Sequence, residues 1–373
     1  MLERQARVGR KLLSTGNGRC NLSNTHAAEG HYHGDSALVS DVLSRFGVED
    51  TLAWFGELGL LTVTEDSGRL YPFSNMASSV VDVLRFALEK RGVTVVTGAP
   101  VTGIRVKDHA FTVTTEEGVY TADAVILAAG GAAGAKVGGV MDGYRLAKAL
   151  GHHRTALCPA IVQLRTDPTY PRALKGVKAE AAVSVCRSGE VLAQRTGEVL
   201  FTEYGVSGPA VFDVSRAAAT AGEGLTCVLD LLPEWDEERT VRELSRRREL
   251  LAGHEARELF TGLLHPRLGQ VVVKASGFTV QPLEGLTDDD IRCIAATAHR
   301  FALPVLGTCG FDQAQVTAGG LRTDEFDPDT LESRLVPGLY ACGEVLDVDG
   351  DCGGYNLQWA WSSGRLAGML GQG

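Results

Sequence analysis

Two segments of this 373-residue chain hold residue types at spacings suited to chemistry. One is the closing stretch from Gly338 to Gly364. Leu339 to Cys342 is a short apolar run that reads as a buried strand, and Gly343 and Glu344 end it. A loop with Gly350, Gly353 and Gly354 follows, and Asn356 to Leu370 shows helical periodicity. Strand, glycine-rich loop and helix in that order point backbone N–H groups and a positive dipole end at an anionic group. The edge of a flavin ring where negative charge gathers on reduction is one such group. The same residues also read as a glycine-rich turn closing an ordinary α/β unit, and one such motif does not choose between the two.

The other segment is Gly9 to Asn21. It holds Gly16 and Gly18, the side chains of Ser14, Thr15, Asn17 and Asn21, and the cations Arg10, Lys11 and Arg19. Such a run can wrap a flavin ring or a diphosphate with backbone donors and Arg forks; its plain alternative is a polar surface turn. Glu3 stands just upstream, where an acidic residue closing a second strand takes ribose hydroxyls in a dinucleotide fold. Alone it reads equally as a surface carboxylate. Asp123 to Ala128 is an apolar strand running into Ala129, Gly130 and Gly131, which permits close backbone approach to a cofactor or makes a simple strand-turn. Gly130 to Ala135 imitates a phosphate loop, but no helix follows promptly, so it is not given the main pyrophosphate role.

No side chain announces itself as a general acid or base, so the catalytic residues stay unassigned, with Tyr355 and Arg19 as candidates to touch substrate. Cys20 lacks a CxxC partner and reads as a packing residue before a redox one. His152 and His153 are adjacent, so their side chains diverge; they suit a structural or surface role, and no metal site is expected.

The elements that must hold these segments follow from pattern. Asp35 to Leu60 reads as helical. Val80 to Arg91 carries one apolar helix face, with Gly92 as its C-cap. Val93 to Thr97 reads as a short strand. Val101 to Val106, Ala110 to Thr115 and Gly118 to Thr121 alternate as a meander, and Asp142 to Leu150 reads as a helix. From about Pro159 the pattern changes to Ile161 to Leu164, Ala181 to Cys186, Glu190 to Arg195, Glu198 to Thr202 and Thr226 to Leu231. These short strands predict a small β-barrel or sandwich. Glu234 to Leu264 and Thr287 to Phe301 read as helices, the second capped by Thr287. After Pro304 strand, loop and helix patterns return. The expectation is a discontinuous nucleotide-binding domain, 1–158 with 305–373, around an inserted barrel domain, 159–304, that contains a helical subdomain at about 234–267.

Composition excludes several classes. Hydrophobic residues make up 44% and charged residues 22%, ordinary for a globular protein, and 45 glycines suit many tight βα turns. Net charge is −10 with no long basic block, which gives nucleic-acid binding little support; Arg246 to Arg248 reads as a solvated helix face. Eight cysteines without a framework, and no signal peptide or membrane-length apolar run, point to reduced thiols in the cytoplasm and to no membrane partner.

Thr15 to Asn21, Asp142 to Ala147, Phe201 to Pro209, Gly310 to Gly320 and Gly343 to Gly364 together resemble the bacterial YhiN/BaiN-type flavoproteins, the aminoacetone-oxidase-like FAD-dependent oxidoreductases, nearly end to end. The resemblance implies an α/β fold: a glutathione-reductase-like FAD domain split in sequence, with a β-barrel domain and a small helical insertion. It implies bound FAD and hydride or electron transfer on a small molecule, with NAD(P)H as a candidate donor. By it, Glu3 would hold the adenosine ribose and Val101 would meet the adenine through its backbone. Lys11, Thr15, Gly16, Asn17, Gly18, Arg19 and Asn21 would line flavin and diphosphate, and Ala129 and Gly130 would flank the nucleotide. Gly343, Glu344, Gly354, Tyr355 and Asn356 would approach the ribityl chain and ring. One departure stands out. The family opens with a strand, G-x-G-x-x-G and a helix of roughly thirty residues in all, and this sequence begins after them. The expectation is a misplaced start at Met1; the alternatives are a true truncation or a cofactor-free remnant serving as a binding module. A nicotinamide-only dehydrogenase ranks last, because no complete G-x-G-x-x-G is present.

Overall fold

Leu225-Thr-Cys-Val-Leu-Asp230 buries every second side chain, as a strand does with one face on a core. Its neighbours complete a closed antiparallel barrel in the order 164–166, 205–207, 190–201, 178–187, 225–230 and 301–308, with the last strand pairing back to the first. Closure removes the open edges that would otherwise invite pairing with other chains. Val183, Val199, Phe201, Leu229 and Leu303 fill its interior. Burial of each large side chain of this kind contributes about 1.5–3 kcal/mol. The chain divides into two units, Ala160–Gly310, which contains this barrel, and Met1–Pro159 with Phe311–Gly373. The structure is a computed structural model that describes residues 1–108, 110–278 and 280–372. Gly373, the expected end of the second nucleotide-binding segment, lies outside them.

Three expectations in the barrel unit need correction, and one helix there went unread. Ile161 to Leu164 is not a strand: Ile161 is left-handed (φ 50), and only Leu164 joins a strand, Leu164–Thr166. Glu190–Phe201 is one strand, not two, and Gly197 does not break it. The unread helix is Pro209–Ala221, although it begins with proline at its first turn and buries Val211, Val214 and Ala218. The continuous helix over 234–264 is instead Glu237–Leu250, a single 3₁₀ turn at Ala256–Glu258, and a separate helix Pro266–Ala275. Gly253 turns the chain with φ +88 between the first two. Thr287 caps Asp288–His299 as expected, in a full capping box with Asp290. Leu244, Leu268, Val272 and Ile291 join the barrel's own core.

In the other unit the buried runs Val125–Leu127 and Leu339–Ala341 pair in parallel. The meander is Val101–Lys107, Ala110–Thr115 and Val119–Ala122. The strand expected over 93–97 reduces to an isolated parallel bridge between Leu2 and Val96, held by Val96 N–H to Met1 O (2.9 Å) and Glu3 N–H to Val96 O (2.8 Å). Asp35 to Leu60 divides into Ser36–Arg45, capped by Asp35, and Val48–Glu57, because Phe46 and Gly47 leave helical geometry. The closing helix Tyr355–Gly368 buries Trp359, Leu366 and Ala367 in the core beside the parallel pair. No helix of the described residues is long and apolar enough to cross a membrane.

Candidate functional site

The early turn and the closing loop meet. Asn24 Nδ2 donates to Gly353 O (2.9 Å), Ser23 Oγ to Gln358 Oε1 (2.6 Å) and Trp361 Nε1 to Leu22 O (3.0 Å). Gly354 makes this seam possible. It has φ +102, and a Cβ there would lie 2.3 Å from Ser23 O and 2.9 Å from Asn21 Oδ1, so no other residue brings the helix start so close.

The early turn is left-handed at Gly16 (φ 56), Asn17 (φ 56) and Cys20 (φ 62), a run that turns successive backbone groups to one side. It closes through Cys20 N–H to Thr15 O (3.1 Å), while the Thr15 hydroxyl donates to Leu12 O (2.7 Å). Cys20 is wholly buried and burial pushes its thiol up to about 11, which makes it inert as a nucleophile or redox group. Arg19 is held at the rim, its guanidinium 3.9 Å from the Tyr71 ring centroid and bonded to Glu65 (2.7 Å) and Asn75 (2.7 Å). The Glu65 carboxylate raises the Arg19 pKa further above its ordinary value.

Lys11 reaches across the unit to Glu344, Nζ to Oε2 2.6 Å, and lies 3.4 Å from Ala133 O. The other carboxylate oxygen of Glu344 accepts the Thr317 N–H (2.9 Å). Gly131 sits against the same group, since a Cβ there would fall 2.5 Å from Glu344 Oε1. Lys11, Gly131 and Glu344, far apart in sequence, therefore share one place. Gly343 is anchored by its N–H to Ser363 Oγ (3.0 Å) and its carbonyl to Trp359 Nε1 (3.1 Å). Glu3 lies by the Leu2–Val96 bridge with its carboxylate on Gln5 N–H (2.7 Å), and Val101 opens the meander.

Tyr355 and Asn356 shape the loop with their side chains. The Tyr355 ring stacks on His31 (4.4 Å between centroids), and Asn356 clasps Gly350. His31 and His33 both hold Asp351, at 3.1 and 3.0 Å, and Val348–Gly350 pairs with Tyr32–Gly34. Reading the sequence missed this second fastening of the loop. The alternation His31-Tyr-His33, with Tyr32 turned inward, was its available signal. Thr317 was missed as well: its backbone N–H serves Glu344 and its hydroxyl accepts the Ala133 N–H (3.0 Å), and both partners lie far from it in sequence. His152 is a satisfied interior residue, bonded to Glu325 and Ser333.

FAD fits the groups present. Asn21 Oδ1 is buried and has no hydrogen-bond partner among the described residues, which is costly unless a ligand donor meets it. Gly18 (φ +86) and Gly130 (φ +68) are left-handed, and the space a Cβ would fill at each is open. The closing helix carries no side-chain cap at Gly354, so its first-turn donors and dipole favour a negative ligand group.

Over residues 1–370 the chain matches the family described as HI0933-like protein Rossmann domain. It is similar to a 3-dehydro-bile acid delta(4,6)-reductase of Clostridium scindens, 39% identical across 99% of this chain and 91% of that protein. It is also similar to a ribosomal RNA dihydrouridine synthase of Escherichia coli, 29% identical across 97% of this chain and 89% of that protein. Among solved structures, the open conformation of a flavocytochrome c3 fumarate reductase aligns at 18% identity with a TM-score of 0.42, covering 90% of this chain and 64% of that one, a likeness too loose to argue from. The match along nearly the whole chain, with a relative well above 30% identity, assigns it: this chain belongs to the HI0933-like Rossmann-domain family and is an FAD-dependent oxidoreductase.

Proposed function

We propose that this flavoenzyme saturates a carbon–carbon double bond conjugated to a carbonyl in a small apolar molecule, with a nicotinamide nucleotide as electron donor and the cytoplasm as its compartment. Two relatives support the reaction class. A delta(4,6)-reductase acts on an unsaturated ring system, and making dihydrouridine from uridine saturates a double bond next to a carbonyl. A net charge of −10 without a basic block favours the small apolar substrate over RNA.

Bound FAD supplies the hydride transfer. The chain's residues bind and orient it. In this reading Lys11, Thr15, Gly16, Asn17, Gly18, Arg19 and Asn21 line ring and diphosphate, and Glu3 and Val101 take the adenosine. Ala129 and Gly130 flank the nucleotide, while Gly343, Glu344, Gly354, Tyr355 and Asn356 approach ribityl chain and ring. Asn21 Oδ1 would offer its unused acceptor to a ring N–H, and the helix start at Gly354 would favour negative charge on the ring. Glu344, bonded to both Lys11 and Thr317 N–H, keeps that cation beside the site without leaving it unbalanced.

The orphaned Asn21 oxygen is the observation that most favours FAD at this place, and the two relatives carry the reaction class. The protein is purified, tested for flavin absorbance, reduced under anaerobic conditions, and mixed with a steroid dienone, its saturated analogue, or uridine-containing RNA. Reoxidation by the dienone and not by the saturated analogue is expected. A reduced flavin that no conjugated enone reoxidises would remove the reaction class. Protein that takes up no FAD would remove the binding mode.

A further inference from the structure

Outside the segments assigned to FAD, the Met1–Pro159 and Phe311–Gly373 unit holds a cavity of about 680 Å³ between the helix Asp142–Ala149 and the run 151–156. None of the residues proposed for the cofactor lines it. Its volume falls within the roughly 300–1,000 Å³ usual for small-molecule sites.

The lining divides by chemistry. Met141, Ala156, Leu321 and the Tyr144 ring offer apolar surface, whereas Arg145, Lys148 and Arg154 bring positive charge. No carboxylate lines it. One of these cations is already answered: Arg145 bonds Asp142 (3.3 Å) and the Thr102 carbonyl (3.2 Å). Lys148 and Arg154 are not. Among the described residues neither has an ion-pair partner, and Arg154 bonds only its neighbour's carbonyl, Thr155 O, at 2.8 Å. Both residues are exposed, so each can turn toward a ligand in the cavity. Tyr144 adds an independent mark. It is 3% exposed, it lines the cavity, and its hydroxyl is buried without a hydrogen-bond partner among the described residues. A buried hydroxyl of that kind is costly unless something supplies its bond.

We infer that this cavity binds a small organic oxyanion, its apolar body lying on Tyr144, Met141 and Leu321 and its phosphate or carboxylate held by Lys148 and Arg154. A nucleotide and an acidic steroid both present that chemistry. The cations give orientation and the apolar floor gives area, the usual division of labour in such sites. Tyr144 donates its hydroxyl to the bound anion. None of the residues proposed for the flavin lines it, so on that reading the bound anion is a second ligand beside FAD.

The test uses the FAD-loaded protein and calorimetric titration with ADP-ribose, cholate and inorganic phosphate in separate runs. Wild type is compared with Lys148→Glu, Arg154→Glu, Tyr144→Phe and a remote control, Lys90→Glu. Saturable binding of ADP-ribose or of cholate is expected, weakened on the order of tenfold or more by each cavity charge reversal and untouched by the control. ADP-ribose binding alone assigns the nucleotide source, and cholate binding alone the steroid source. Tyr144→Phe keeps the ring and the fold while removing the donor, so a smaller loss there supports the assigned bond. Binding that all variants retain places the ligand elsewhere and overturns the inference, as does a failure of all three probes to bind wild type. Flavin content, read from absorbance in every sample, separates this outcome from failure of the FAD site.

Discussion

Asn356 clasps Gly350 at both ends of that residue's backbone. Its Oδ1 accepts the Gly350 N–H at 2.8 Å and its Nδ2 donates to Gly350 O at 2.7 Å. The amide side chain acts as a short piece of strand and fixes the glycine loop against the helix that follows it. Asn356→Ala leaves both Gly350 groups without partners, at a cost of about 1–3 kcal/mol. Asn356→Asp keeps the acceptor and loses the donor, so its loss should be smaller. Denaturant midpoints of the three proteins check the order, and equal stability of Ala and Asp variants would show that the acceptor half of the clasp adds nothing.

Lys11 and Glu344, 333 residues apart in sequence, meet at 2.6 Å. Their side chains are 34% and 19% exposed, so water screens the pair only in part. Lys11→Met strands a largely buried carboxylate, and a stability loss of about 1–3 kcal/mol follows. Glu344→Gln can still accept from Thr317 N–H and should cost less. In a double-mutant cycle the combined change falls short of the sum. Strict additivity would mean that the pair is not coupled in solution.

How much of this was legible depends on range. The strand–glycine–helix ending could be read because strand period, glycines and helix period lie within thirty-odd residues, and because left-handed turns demand glycine at Gly354 in particular. The Thr287 capping box was readable for the same local reason. Lys11–Glu344 and the His31, His33, Asp351 fastening could not be read, since nothing in one sequence says which distant side chains meet. The helix Pro209–Ala221 was hidden by its own start. Ser207, Gly208 and Pro209 look like turn punctuation, yet proline is favoured in a first helical turn. Glu234 to Leu264 erred the other way: strong helix formers on both sides of Gly253 outweighed a glycine that the fold uses to turn.

Gly130 allows a role in binding to be told apart from fold strain. It is left-handed at φ +68, with nothing within 4 Å of where a Cβ would stand. Gly130→Ala costs the protein about 1–2 kcal/mol for that backbone conformation and places a methyl group in open space. Without FAD the melting temperature should fall by only a few degrees. The rise that FAD gives wild type by mass action should shrink or vanish. Gly139→Ala is the contrast, because its Cβ would fall 2.0 Å from Ala133 O and the fold should suffer with or without cofactor. A Gly130→Ala protein that FAD stabilises as fully as wild type would clear that space of any role in binding.

His152 makes stability fall with acid in a window that can be assigned. Ser333 Oγ accepts N–H groups from Leu335 (3.0 Å) and Val336 (2.8 Å), so its own hydroxyl proton goes to His152 Nε2 (2.9 Å). Nδ1–H then donates to Glu325 Oε2 (2.9 Å), and the ring stacks on Phe326. Both ring nitrogens are thereby engaged with the ring neutral. Burial lowers the His152 pKa below its ordinary 6.5, and the pull of Glu325 offsets this only in part. Below that ordinary value the unfolded chain takes up the proton while the folded one resists it. The unfolded state then binds more protons, and stability drops as pH falls from about 6.5 toward the folded value. Glu325 acts lower. Burial raises its pKa but is outweighed by the hydrogen bonds from the His153 N–H and ring and the His152 ring, so it ends below its ordinary 4.5. Its contribution is present above that value and is lost as pH falls through the folded one. His152→Gln keeps a polar side chain and removes the titration, so unfolding midpoints followed from neutral to acid pH should lose the upper slope and keep the lower one. An unchanged upper slope in that variant would move its origin to another histidine.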